Sequence, residues 1–280
     1  MRCWASLLVL IGVLASVSPL PPHGRMLLIA VATFFVLKAQ SHSAFAALHR
    51  RPTLREALLW YLTWPGLDAE SFLDRHTANR PSRRDWAIAF GTCLLGLTLW
   101  QAIAPSLVHV QPLAAGWVAI AGLLLTLHFG LLHLIALFWQ SRGRDVMPLM
   151  NTPQFATSLS EFWGRRWNTA FRDFAHQFVF KPATRRWGAN TATWIGFVFS
   201  GLVHELAISV PADGGYGWPL AYFTLQGLGV WIERLVTRRG IRMRGGLRGW
   251  CFTALFTLPA AAFLFHPPFV CHVILPLIPQ

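Results

Sequence analysis

Seven stretches of this 280-residue chain are almost wholly apolar: residues 3–20, 26–41, 86–104, 113–139, 192–210, 216–236 and 249–272. A helix rises about 1.5 Å per residue and needs about 20 residues to cross the hydrocarbon of a bilayer. The pattern therefore predicts an all-α, polytopic transmembrane helical bundle of about seven spans. Other stretches are helical in period but too polar to span. "TLREALLWYLTWPGLDAESFLDR" reads as an interfacial amphipathic helix interrupted at Pro65. Ser158-Leu159-Ser160-Glu161 fits a capping box, so a helix is predicted from Leu159 to about residue 179. On its wheel Trp163, Trp167, Phe171 and Phe174 share an apolar sector, Arg165, Arg172 and His176 lie opposite, and Asn168 sits at the sector's edge. No internal repeat or low-complexity linker separates the runs, so one integral membrane domain over residues 1–280 is the simplest organisation.

Composition agrees with the pattern. The chain is 54% hydrophobic and 12% charged, about half the charged fraction of a soluble domain. A net charge of +13 in a soluble protein would suggest nucleic acid as partner. Here its distribution says otherwise. Residues 50–84 hold seven arginines, 142–186 hold eight basic residues and 234–248 hold six arginines. The alternate connections hold Arg25 in the first and no lysine or arginine in "PSLVHVQP", "PADGGYG" or the carboxyl end. Basic connections stay on the cytoplasmic side. The reading is an amino end in the cytoplasm and a carboxyl end outside, in a bacterial inner membrane or the endoplasmic reticulum. The basic balance is therefore read first as a topology signal for a protein in the bilayer, with attraction of an anionic lipid surface or of an anionic cosubstrate as the alternatives on that same side, and no nucleic acid is implied. The first run, with Arg2 ahead of an apolar core and "LASVSPLPP" behind it, has features of a signal peptide. It is read as a retained helix, since "MLLIAVATFFVL" follows at once. The four cysteines are scattered, with no metal-ligand or disulfide spacing.

Two polar insertions in apolar surroundings carry the candidate chemistry. His204 lies about 11 residues past Thr193, roughly 16 Å into its span at 1.5 Å per residue, where an ionisable group is expected to be functional. It shares a helical face with Phe197, Ser200, Gly201 and Ile208; the small residues leave room for a close neighbour or a substrate chain. Glu205 points about 100° away and is read as orienting His204 or pairing within the bundle. A zinc-protease reading fails, because Ile208 stands where HExxH needs its second histidine. The second insertion is Trp163 to Asn168. Its spacing alone reads as a surface helix with tryptophans at headgroup depth.

"PLMNTPQFATSLSEFWGRRWN", "FSGLVHEL" and "YFTLQGLGVWIER" together resemble the membrane-bound O-acyltransferase superfamily in its wax synthase branch, most specifically over residues 145–235. The resemblance implies acyl-CoA-dependent esterification of a hydrophobic, long-chain or sterol-like alcohol. It places the functional histidine on His204 and the motif asparagine on Asn168. In that scheme His204 is the general base, and burial keeps its imidazole neutral at rest. Asn168 binds the thioester carbonyl or positions the donor, and Trp163, Trp167 and Ser200 line the substrate. Arg165 and Arg166 meet CoA phosphates. No metal or cofactor is implied beyond acyl-CoA as cosubstrate. One departure is Gln226, where members of the family often carry histidine. Two other readings compete: an O-acetyltransferase acting on a polysaccharide or lipid-linked sugar, and a transporter using His204 and Glu205 as a proton relay. A surface helix cannot bring Asn168 to a midplane His204, so the scheme requires either a segment that dips into the membrane or a funnel reached by the thin thioester arm.

The charge alternation makes a direct prediction. Cys271 is expected to react with an impermeant thiol reagent applied from outside, while a tag near Gly240 stays protected in intact cells. Labelling of the 237–248 connection from outside would overturn the orientation.

Overall fold

The computed structural model describes residues 3–16, 18–74, 80–241 and 244–279. Arg2, Arg75 and Arg242, which belong to the charge pattern above, lie outside them, as does Val17 of the cleavage-like stretch. The described residues are helical, with no strand among them. They form two compact units, residues 1–150 with 270–280, and residues 151–269.

The first unit contains α1 (Cys3–Ser16), α2 (Pro22–Leu48), α3 (Leu54–Thr63), α4 (Ala69–Leu73), α5 (Arg83–Leu107) and α6 (Pro112–Ser141). Local chemistry sets the starts. Thr53 and Glu56 close a capping box before α3, and Ser82 and Asp85 close another before α5. Arg50 grips Glu56 through two bonds of 2.9 Å and, with Thr53 donating to the same carboxylate, holds it down to about 2. The long helices α5 and α6 meet through small residues. A methyl group added at Gly96 would lie 2.5 Å from the Thr126 backbone nitrogen, and one at Gly122 would lie 2.8 Å from the Gly96 carbonyl oxygen. Without a hydrophobic force between helices in lipid, such close approach supplies the packing energy.

Lys38 belongs to this unit's core. Lys38 and Gln40 interrupt the end of the second apolar run, and α2 continues through them to Leu48. Lys38 is fully buried. Its ammonium donates to the Trp64 carbonyl and, at 3.1 Å, to the Gly66 carbonyl, and sits 4.2 Å from the Trp60 ring centroid. Arg144 acts alike, donating to the Phe72 carbonyl at 2.5 Å. Two buried cations thus satisfy buried backbone carbonyls, Lys38 those of the irregular segment around Pro65 and Arg144 one at the end of α4.

The second unit begins with the three-residue helix α7 (Leu159–Glu161), which runs into a widened turn at Phe162–Arg166. It continues as α8 (Thr169–Ala212), α9 (Trp218–Arg238) and α10 (Gly246–Leu264). Within α8 the helix breaks at Gly188, whose φ of 80° and ψ of 165° suit glycine alone. Gly201 lets α9 approach: a methyl group there would lie 3.0 Å from the Leu220 Cα.

Five of the described helices are long and apolar enough to cross a membrane: α2, α5, α6, α8 and α10. The difference from seven runs has physical reasons. The first run gives 14 helical residues, and α9 is diluted by Gln226, Glu233 and Arg234. The predicted continuous helix over 159–179 is broken instead. Asn168 takes φ 41° and ψ 64°, the left-handed region that asparagine tolerates better than most residues, and its Oδ1 accepts from the Phe171 amide at 3.2 Å, capping the next helix.

Replacing Lys38 with alanine is expected to strand two carbonyls and to cost roughly 1–3 kcal/mol of stability. The check is the thermal unfolding midpoint in detergent; an unchanged midpoint would show that these carbonyls do not depend on the ammonium.

Candidate active site

A cavity of about 360 Å³ opens within the second unit between the Trp163–Asn168 segment, α8 and α9. Six of the residues lining it are phenylalanine or tryptophan, among them Phe171, Phe197 and Phe223. One part carries His204 and Ser200; Arg172, His176, Thr193 and Arg234 supply polar and basic groups.

His204 is placed by α8 one residue before the helix widens at Glu205–Ser209. Its Nδ1 lies 2.7 Å from the Ser200 carbonyl oxygen. A carbonyl can only accept, so Nδ1 carries the proton, and in the neutral ring Nε2 keeps the lone pair. Phe223 of α9 packs on the ring at 4.5 Å between centroids, and Phe171 meets it edge-on at 6.3 Å. The imidazole is thus oriented by a backbone group and enclosed by apolar rings.

The break at Asn168 brings the other insertion to the same place. Trp163, Trp167 and Asn168 all line the cavity with His204. Trp163 donates from Nε1 to Gln226 Oε1 at 3.3 Å and stands edge-on to Phe197. Trp167 stacks on Phe162 at 5.3 Å. Ser200 donates its hydroxyl to the Gly196 carbonyl at 3.0 Å.

Three of the residues singled out in the sequence lie outside the lining. Arg165 is exposed to the surroundings. Arg166 is tied to Glu161 at 2.7 Å and donates to the Thr152 hydroxyl at 2.8 Å. Burial would raise the Glu161 carboxyl, but bonds from Thr157 and Arg166 outweigh it and hold the group below its ordinary value. Glu205 Oε1 accepts from the Gly217 and Leu220 amides, both at 3.0 Å. It therefore caps the start of α9, where a carboxylate also complements the helix dipole.

The cavity also holds residues that the wheel sent elsewhere. Arg172 and His176 lie opposite the aromatic sector on a continuous helix from Leu159. The left-handed residue at 168 resets the phase, and both line the cavity with Trp163 and Trp167. Arg234, which donates to Thr193 Oγ1 at 3.0 Å, joins them from α9. Phe223, Val230 and Arg234 recur at helical spacing, a signal present in the sequence but indistinguishable there from ordinary core packing.

Residues 146–225, which include most of this cavity, match the model of the membrane bound O-acyl transferase family. The chain is 31% identical over 142 residues to a long-chain-alcohol O-fatty-acyltransferase of Simmondsia chinensis, covering 46% of this chain and 40% of that protein. It is 33% identical over 132 residues to a probable long-chain-alcohol O-fatty-acyltransferase 8 of Arabidopsis thaliana, covering 44% and 39%. An acyl-CoA–sterol O-acyltransferase 1 of the same plant is 29% identical over 147 residues, covering 46% and 41%. The matched part of the chain thus spans about two fifths of the length of these relatives. The segment that brings His204 and Asn168 to one cavity is thus the part of the chain that matches the membrane bound O-acyl transferase family and is similar to the long-chain-alcohol acyltransferases.

Proposed function

We propose that this protein is an acyl-CoA-dependent O-acyltransferase that esterifies a hydrophobic, long-chain or sterol-like alcohol within the membrane. The observation that carries the reading is His204, an imidazole whose Nδ1–H is engaged by the Ser200 carbonyl, facing a cavity lined by both aromatic and basic groups. The names of the relatives, acting on long-chain alcohols and on a sterol, point to the same acceptor class.

The chemistry follows from the geometry. The alcohol oxygen attacks the thioester carbonyl carbon while His204 Nε2 takes the hydroxyl proton. The tetrahedral intermediate collapses, the carbon–sulfur bond breaks, and the CoA sulfur leaves with the proton from Nε2. Asn168 is the amide that positions the donor or meets the carbonyl oxygen, while its Oδ1 holds the helix start that fixes its place. The reaction so written needs no metal and no cofactor beyond acyl-CoA. Arg172 and Arg234 are better placed for the donor's phosphates than Arg165 and Arg166, because they line the cavity and Arg166 is committed to Glu161. The aromatic walls suit an apolar acceptor entering from lipid, and discrimination by length should be shallow, since one methylene is worth only ~1–3 kcal/mol. The charge alternation of the sequence supports a cytoplasmic face for the basic connection around residues 142–186, the side that holds acyl-CoA.

Purified protein is expected to release free thiol from acyl-CoA only when an alcohol is present. With long-chain alcohols, sterols and sugars in competition, mass spectrometry should find lipid esters; acylated sugar without lipid ester would favour a carbohydrate acceptor instead. His204→Ala should lower turnover by ~10²–10⁴-fold with membrane insertion intact, and near-normal turnover would remove His204 from the mechanism. Arg234→Ala should raise KM for acyl-CoA about tenfold with kcat little changed, as for loss of uniform binding. An unchanged KM would place the phosphates elsewhere.

A further inference from the structure

Outside the reacting groups, the most heavily committed buried charge in the second unit is Glu233 on α9. It is fully buried. Its Oε2 accepts from the Leu159 amide at 2.6 Å and the Ser160 amide at 3.4 Å. Its Oε1 accepts from the Ser160 hydroxyl at 2.7 Å and from Arg244 Nε at 3.0 Å. These amides begin α7, a helix of three residues. So short a helix has no stability of its own, and its first amides have no partner within it. Ser158 supplies one cap by accepting from the Glu161 amide at 3.0 Å. Glu233 supplies the rest.

A carboxylate is an expensive way to cap a helix in the interior, since a buried charge must be compensated. Here the compensation comes from Arg244, whose side chain is 47% exposed. The arrangement gains meaning from what else α9 touches. Gln226 lies two turns from Glu233 on the same face. It is fully buried, accepts from Trp163 Nε1 and donates to the Phe256 carbonyl at 2.7 Å. Between them Gly229 leaves room for Leu159: a methyl group there would lie 2.6 Å from Leu159 Cδ2. One turn further, Phe223 packs on His204. A single helix therefore holds α7 at Leu159 and Ser160 through Glu233, Trp163 through Gln226, and His204 through Phe223.

We propose that Glu233 is a positioning residue for acyl transfer: by capping α7 it sets the Trp163–Asn168 segment in register with His204, with Gln226 as the second anchor. Glu233 touches no reacting atom. It acts through α7, and Arg244 acts through Glu233 and through its own bond to the Ser160 hydroxyl at 3.4 Å. The inference rests on the proposed acyltransferase reading for its catalytic consequence, but its geometric consequence is independent of that reading.

The experiment uses the full chain in detergent with its native cysteines replaced by serine, and compares wild type, Glu233→Ala, Glu233→Gln and Arg244→Gln. One readout is acyl transfer. Glu233→Ala should lower kcat ~10–100-fold, the scale of a small misplacement of reacting groups, with KM for acyl-CoA within about threefold. Glu233→Gln, which keeps an oxygen for the Leu159 amide, should recover a large part of the loss. The other readout is the distance between spin labels at Arg165→Cys and Val198→Cys, both exposed positions. That distribution should broaden or shift in Glu233→Ala and return toward wild type in Glu233→Gln. A wild-type kcat in Glu233→Ala, or a lowered kcat with an unchanged distance, overturns the proposal. If Glu233→Ala does not fold, Glu233→Gln and Arg244→Gln decide on the same two readouts, since each weakens the cap without removing it. If the wild-type protein transfers no acyl group, the functional reading fails, and the distance measurement still tests the positioning.

Discussion

A buried backbone amide that leaves its helix must find another partner, because an unpaired buried polar group is costly. The second unit is organised around that constraint. Its motif segment leaves regular helix twice, at the short α7 with its widened turn and again at Asn168. Each departure frees amides, and each is met by a polar side chain: Ser158 and Glu233 at the first, Asn168 itself at the second. The same holds where α8 ends and α9 begins, with Glu205 on the Gly217 and Leu220 amides. The first unit obeys the rule with opposite sign. There the irregular segment after α3 and the end of α4 present carbonyls, and Lys38 donates to the first and Arg144 to the second.

This accounting separates two kinds of polar residue in an apolar chain. Glu205, Glu233, Lys38 and Arg144 satisfy backbone and are largely occupied in doing so. His204 spends one ring nitrogen on a backbone carbonyl and keeps the other for chemistry. Asn168 does both at once, since the cap that fixes its backbone also fixes where its side chain meets the cavity. Irregular backbone in a membrane protein is tolerated where it is buried in protein or lines a cavity, and the break at Asn168 is of that kind.

The break also removes a geometric difficulty. A continuous surface helix from Leu159 would keep Asn168 far from a histidine deep in its span. With the left-handed residue in place, the chain turns, and Asn168, Arg172 and His176 line one cavity with His204. Of the two roles read for Glu205, orienting His204 or pairing within the bundle, the structure has the second, at the start of α9, and the imidazole is oriented by its own helix through the Ser200 carbonyl.

Much was legible in the sequence. The apolar runs showed the helical class and most of the spans, because hydrocarbon imposes a length and a composition that need no knowledge of neighbours. His204 stood out for the same reason, as an ionisable group where none is cheap. The motif residues Trp163, Trp167 and Asn168 were identifiable by resemblance, and Ser158 by its capping pattern. What only the tertiary structure decided was phase and partnership. A helical wheel assumes one unbroken period, so a single left-handed residue at Asn168 sent Arg172 and His176 to the wrong side. Gln226 showed in the sequence as a departure from a family pattern and Glu233 carried no reading; Trp163 and Leu159, which they hold, lie 63 and 74 residues away in the chain. A backbone group freed by a break, and the distant side chain that satisfies it, become visible together only when the chain has folded.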